Sequence, residues 1–181
     1  MILSFLVSLV LFIPAFIANP AAVVTGGHVI LDGNRTWRGK RILGDHKTLS
    51  GLLGGTAAGV IIGLILNYIF LFAHLSYLTF SSSFPTAFSI VLSLSFFSMF
   101  GDLVGSFIKR RLGRKPGQES IFLDQYPFAL SALFFTYVLF PGISSKLFPW
   151  EGIIAILVVT PLIHRAVNII GYRLKMKDVP Y

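Results

Sequence analysis

Five apolar segments, each near the length needed to cross a lipid bilayer, dominate this 181-residue chain. They fall at roughly residues 1–18, 49–73, 84–101, 121–141 and 150–170, the third and fourth being short and polar at their ends. A helical span takes about 20 mostly apolar residues. Within lipid a segment must satisfy its own backbone hydrogen bonds, so such segments form helices. Composition agrees, with 55% hydrophobic and 12% charged residues, about half the charge fraction of soluble domains. The expected fold is therefore an all-α integral membrane protein with about five transmembrane helices in a single domain over residues 1–181. The opening MILSFLVSLVLFIPAFIA has no positive n-region, so it reads as a retained first helix rather than a signal peptide, with Pro14 as an expected kink.

The connecting segments set the orientation. All but Lys146 of the fifteen Lys and Arg residues fall in alternate segments: 19–48, 109–120 and the C-terminal stretch. The positive-inside rule makes those segments cytoplasmic, which predicts a multi-pass protein of the cell membrane with its N-terminus outside and its C-terminus inside. The net charge of +8 suits anionic lipid surfaces and phosphorylated ligands. Nucleic acid is not expected, because little of the chain lies outside the bilayer. Absence of cysteine excludes disulfides, thiolate catalysis and thiolate metal sites.

In the second span Gly51, Gly55, Gly59 and Gly63 recur every four residues, a smooth stripe that lets another helix approach closely. In the third, Ser95, Ser98, Asp102, Ser106 and Lys109 share one face if the helix runs past the membrane edge. Lipid cannot satisfy that face, so it points into the bundle or into a wet cavity, which the topology places on the cytoplasmic side. A buried Asp102 paired with a nearby cation would explain the pattern structurally; an ionisable group at the end of a span is also a functional candidate. Asp124 opens the fourth segment on the same side, as a helix N-cap or as a second ligand. Two carboxylates can hold Mg²⁺, which favours oxygen ligands and bridges phosphates.

The first connection reads NPAAVVTGGHVILDGNRTWRGKRILGDHKT. Lys47 and Thr48 stand where the second helix begins, a natural phosphate site. It is not a P-loop, since Asp45 and His46 separate Gly44 from Lys47 and no strand precedes it. His28, His46, His74 and His164 show no metal-ligand spacing and are read as structural or interfacial. Arg165 and Asn168 either line the cavity or snorkel.

The run GDLVGSFIKRRLGRKPG followed by DQYPF resembles the signature of membrane CTP-dependent cytidylyltransferases: an Asp, then Ser-x-x-Lys-Arg, a Gly- and Pro-containing loop, and a second Asp at the next helix. With NP…GG…LDGNRTWRGKRILGDHKT it is most similar to the short archaeal branch, the CDP-archaeol synthases, over essentially the whole chain. Asp124-Gln125 replaces the Asp-Arg of the longer CDP-diacylglycerol synthases, which favours an archaeal ether lipid over a fatty-acyl one. The resemblance implies transfer of the cytidylyl group of CTP to the phosphate of an unsaturated prenyl-ether lipid, with release of pyrophosphate. It implies Asp102, Asp124 and Lys109 as catalytic residues and Asp102 and Asp124 as ligands of Mg²⁺ at two positions. Lys47, Thr48, Asn19, Arg35, Arg38, Asp45, Ser106, Arg110 and Lys115 would surround the nucleotide. The alternatives are a CTP-dependent polyprenol kinase, which transfers the γ-phosphoryl group, and a non-enzymatic anion transporter, for which no inverted repeat is visible.

Overall fold

The structure, a computed structural model, describes residues 2–114, 118 and 120–175. Lys115 lies outside the described residues. The helices are α1 (Ile2–Leu11), α2 (Ile13–Val24), α3 (Leu49–Phe72), α4 (Phe84–Arg111), α5 (Ile121–Gln125), α6 (Pro127–Leu139), α7 (Pro141–Leu147) and α8 (Trp150–Arg173). A two-stranded hairpin, β1 (Thr36–Trp37) and β2 (Lys40–Arg41), interrupts the first connection. Four helical stretches are long and apolar enough to cross a membrane: Ile2–Val24, α3, α4 and α8; α6 is a shorter apolar helix.

Three boundaries differ from the hydropathy pattern. The first stretch runs on to Val24 instead of ending near 18, and it breaks at Phe12, with Pro14 in the first turn of α2 and Pro20 inside it. Proline fits a first turn, where its missing N–H has no helical partner. The third stretch extends to Arg111 as one 28-residue helix. At 1.5 Å per residue it is about 42 Å long, so it outruns a hydrocarbon core of about 30 Å and carries its last turns into the polar region. The fourth is broken between α5 and α6, because Pro127 removes a helical donor and crowds the preceding turn.

The glycine stripe of α3 is buried against α2 and α4. A Cβ on Gly55 would come 2.5 Å from the Ala18 carbonyl oxygen and 3.0 Å from Met99 Sδ, so only glycine allows this three-helix contact. α6 packs along α4 through stacked Phe97 and Phe135, with ring centroids 4.0 Å apart, and a buried Ser93–Thr136 hydroxyl bond of 3.0 Å. At Gly105 a Cβ would sit 2.8 Å from the Leu123 carbonyl oxygen. That close approach brings α5, and with it Asp124, against α4. The apolar core gathers Leu94 of α4, Phe128 of α6 and Ile156 of α8 with Phe12 from the α1–α2 break and Phe148 from the α7–α8 junction. Outward residues such as Phe72, Leu53, Phe134 and Val158 are largely exposed, as lipid-facing side chains are.

Candidate active site

A cavity of about 790 Å³ opens among the C-terminal halves of α2 and α8, the start of α3, the middle of α4 and the α5–α6 junction. Phe16, Ile17, Leu103, Leu123, Ile163 and Val167 supply apolar lining, and Asn19, Lys47, Thr48, Asp102, Asp124, His164 and Asn168 supply polar groups. Each polar group has a local reason to be there. Thr48 is the N-cap of α3: its Oγ1 accepts from Gly51 N at 3.1 Å and from Gly27 N at 3.3 Å. The segment 29–31 bonds along 47–49, with Leu31 N donating to Lys47 O at 2.8 Å and Leu49 N to Val29 O at 2.9 Å. These contacts fix the backbone of Lys47. Asn19 Nδ2 donates to Ser98 Oγ at 3.2 Å, and Ser98 Oγ donates to Ala15 O at 2.8 Å, tying α2 to α4.

Lys47 Nζ forms an ion pair with Asp102 Oδ2, and Lys109 Nζ forms one with Asp124 Oδ1. Each pair joins two separate segments, and all four side chains are less than one-third exposed. Asp124 also accepts from Ser120 N at 2.7 Å through Oδ2; the N-cap of α5 is Ser120, and Asp124 lies inside that short helix rather than capping it. Lys109 reaches Asp124 from behind the wall; like Ser106 and Arg110, it does not itself line the cavity. Ser106 is buried, as is Arg110, whose Nε and Nη1 have no hydrogen-bond partner. Such unpaired buried donors are uncommon in folded proteins.

Arg35, Arg38 and Asp45 stand elsewhere. They are exposed on the hairpin and its return, and none lines the cavity. Arg38 and Gly39 both take positive φ, 51° and 72°, the geometry of a two-residue hairpin turn. Asp45 pairs with Arg41 at 2.6 Å. Arg111 docks the hairpin on α4: Nη1 donates to Trp37 O at 2.6 Å, Nη2 donates to the Lys40 and Arg41 carbonyls, and its guanidinium covers Trp37 and Phe107. Asp32 organises the same loop, accepting from Arg41, Leu43 N, Gly44 N and Asn34 N. Burial works against its charge, but the Arg41 hydrogen bond, the Leu43 and Asn34 N–H groups and the Arg41 charge outweigh it and hold the carboxyl below its usual value.

Three residues were not legible in the sequence for the parts they play. His164 has no partner at ligand spacing in the sequence, yet it lines the cavity, and Asp32 and Arg111 act through tertiary contacts. The Asp32-Gly33-Asn34 turn signal was the one clue to the loop's organiser.

Among the described residues, no three His, Cys, Asp or Glu side chains gather as a metal cluster. The donor set fits a hard divalent cation in one way: two carboxylates as protein anchors, with water and phosphate oxygens completing the shell. Both carboxylates already carry a lysine partner, which a bound cation would displace.

A bundle of membrane-length apolar helices around a cavity that carries two lysine-paired carboxylates defines a multi-pass membrane protein with a charged cavity. A family model described as CarS-like, CDP-archaeol synthase, matches residues 1–181, and the chain belongs to that family. It is 48% identical over 181 residues to a CDP-archaeol synthase of Picrophilus torridus, covering 99% of this chain and 98% of that one. It is 41% identical to those of Pyrococcus furiosus, over 93% of each chain, and Archaeoglobus fulgidus, over 94% of each. A solved structure described as an intramembrane enzyme for archaeal membrane lipid biosynthesis superposes with a TM-score of 0.65 at 35% identity, over 91% of this chain and 94% of that one.

Proposed function

We propose that the chain is a CTP-dependent nucleotidyltransferase. It moves the cytidylyl group of CTP onto the phosphate of 2,3-bis-O-geranylgeranylglycerol 1-phosphate, giving the CDP-activated lipid and pyrophosphate. The carrying observation is that two lysine-paired carboxylates, Asp102 with Lys47 and Asp124 with Lys109 behind it, line one cavity whose remaining lining is largely apolar.

A lipid phosphate oxygen attacks the α-phosphorus of CTP. A new P–O bond forms there, and the bond from the α-phosphorus to the bridging oxygen breaks, with its electron pair leaving on pyrophosphate. The nucleophile is already anionic near neutral pH, since phosphomonoesters lose their second proton near pH 6. No side chain has to remove a proton, and the protein's work is positioning and charge neutralisation. Asp102 and Asp124 would hold Mg²⁺ at two positions, which would supply charge neutralisation at the phosphate oxygens. On loading, Lys47 and Lys109 exchange their carboxylates for phosphate oxygens. The unpaired N–H groups of buried Arg110 support a further phosphate contact, and the capped N-terminus of α3 beside Lys47 adds its dipole. Arg35 and Arg38, exposed on the hairpin, draw the nucleotide in by long-range attraction. The site faces the cytoplasm, with the N-terminus outside and the C-terminus inside; the basic segments support that orientation.

The test incubates purified protein with each labelled nucleoside triphosphate, Mg²⁺ and the ether-lipid phosphate. CTP alone should yield nucleotidyl-lipid, with one pyrophosphate per turnover. CDP as the co-product would mean γ-phosphoryl transfer and would overturn the reading.

A further inference from the structure

The two polar side chains that α8 turns into the cavity have no part in the scheme above. His164 and Asn168, one helical turn apart, line the same cavity as Asp102 and Asp124. Asn168 is buried, and its Nδ2 lies 3.2 Å from His164 Nδ1. With the amide in that orientation, Nδ1 accepts and the neutral ring carries its proton on Nε2. The ring is also held from its face, stacked on Phe128 with centroids 6.3 Å apart and planes 25° apart. Phe128 in turn meets Phe16 of α2 edge-on at 6.2 Å. Packing and hydrogen bonding therefore set both side chains in place before any ligand arrives.

Around them α8 offers the cavity Ile163, Val167, Ile170 and Gly171. Its neighbouring cation Arg165 is exposed and does not line the cavity. This wall thus sets the side chains of His164 and Asn168 directly beside apolar surface, with no Lys, Arg, Asp or Glu of α8 in the lining. A phosphate joined to prenyl chains matches that pattern.

We propose that His164 and Asn168 bind the phosphate of the lipid substrate, the attacking group, on a wall distinct from Lys47 and the α4 lysine Lys109 that hold the triphosphate. This rests on the cytidylyltransferase reading above and extends it to the second substrate. Chemistry favours the division. A lysine clamped on the attacking oxygen would draw off the electron density it needs, whereas an imidazole and an amide orient the anion through hydrogen bonds with less withdrawal of charge. Bond formation and loss are those already described, and neither side chain exchanges a proton in the step.

Purified His164→Ala, His164→Gln and Asn168→Ala proteins in lipid nanodiscs decide the matter, with steady-state kinetics against diether lipid phosphate and calorimetry against CTP. The expected result is a KM for the lipid phosphate raised about ten-fold, the scale of losing a hydrogen bond to a charged group, with CTP affinity within about two-fold of the parent. Gln keeps an N–H donor, so it should recover part of the loss. Thermal unfolding of each variant confirms a folded protein; should His164→Ala fail to fold, His164→Gln and Asn168→Ala carry the test. CTP affinity falling in step with lipid KM would assign the pair to the nucleotide and overturn the proposal, as would an unchanged lipid KM. A parent protein that binds CTP yet forms no nucleotidyl-lipid would instead overturn the underlying reading.

Discussion

Lys47, just ahead of the α3 N-cap, and Asp102, within α4, are 55 residues apart in sequence and form a direct ion pair at the cavity wall. The pair joins the first connection to the long helix that carries the signature. In the proposed function this ammonium, which neutralises Asp102 without ligand, is the one that would turn to phosphate.

Removing that ammonium should weaken the nucleotide site. Lys47→Ala is expected to bind CTP about ten- to a hundred-fold more weakly, the range for one charge-assisted contact. Isothermal titration of CTP onto the purified variant reads this directly. Parent-like affinity would leave the phosphate site to the 109–114 segment without α3.

Helix approach is a separate requirement. The Gly55→Leu side chain would have to occupy space held by the Ala18 carbonyl and Met99 Sδ. Overpacking of this kind costs about 1–3 kcal/mol, so the midpoint of thermal unfolding in detergent should fall by several degrees. The control Ile61→Leu, at an exposed position on the same helix, should unfold like the parent.

The hairpin connection should be acid-sensitive. Asp32 has a folded-state pKa below its ordinary 3.8, so its stabilising contribution is complete above about pH 5 and fades as the pH falls through the folded value. Amide exchange at Leu43 and Gly44, both bonded to this carboxylate, should be slow at pH 6 and fast below pH 3, after correction for intrinsic rates. In Asp32→Asn the protection should be low at both pH values.

Orientation can be read with single cysteines in this cysteine-free chain. Ser82→Cys should react with an impermeant maleimide from outside intact cells, and Ser120→Cys only after permeabilisation. Labelling of Ser120→Cys in sealed cells would refute the assigned topology.

Most of the bundle was legible because the bilayer leaves the chain so few options. α3 and α8 fall almost where apolar length puts them. α4 outran its apolar stretch because Asp102, Ser106 and Lys109 find partners or burial inside the protein, so the helix has no reason to stop at the membrane edge. The α5–α6 break was written in Pro127, yet a hydropathy window averages over one residue. Asp102, Asp124 and Lys47 could be read as site residues because charge at the end of a span is costly and so is informative. Their pairing with particular lysines could not, since it depends on the close approach at Gly105 and Gly55. His164 looked like any lone histidine until the packing of α8 turned it towards the carboxylates. Arg111 looked like one more basic charge until the hairpin folded onto it.

The central claim is that Asp102 and Asp124 act together at a cation-dependent transfer site. The most direct measurement is turnover of CTP and ether-lipid phosphate by purified Asp102→Asn and Asp124→Asn proteins across a Mg²⁺ titration, alongside their helical content and unfolding midpoints. Both variants should remain folded and lose about a hundred-fold or more in turnover, the scale of losing one preorganised electrostatic contact, with no recovery at saturating Mg²⁺. Near-parental turnover in either folded variant, or parent activity unaffected by complete chelation of divalent cations, would contradict the account.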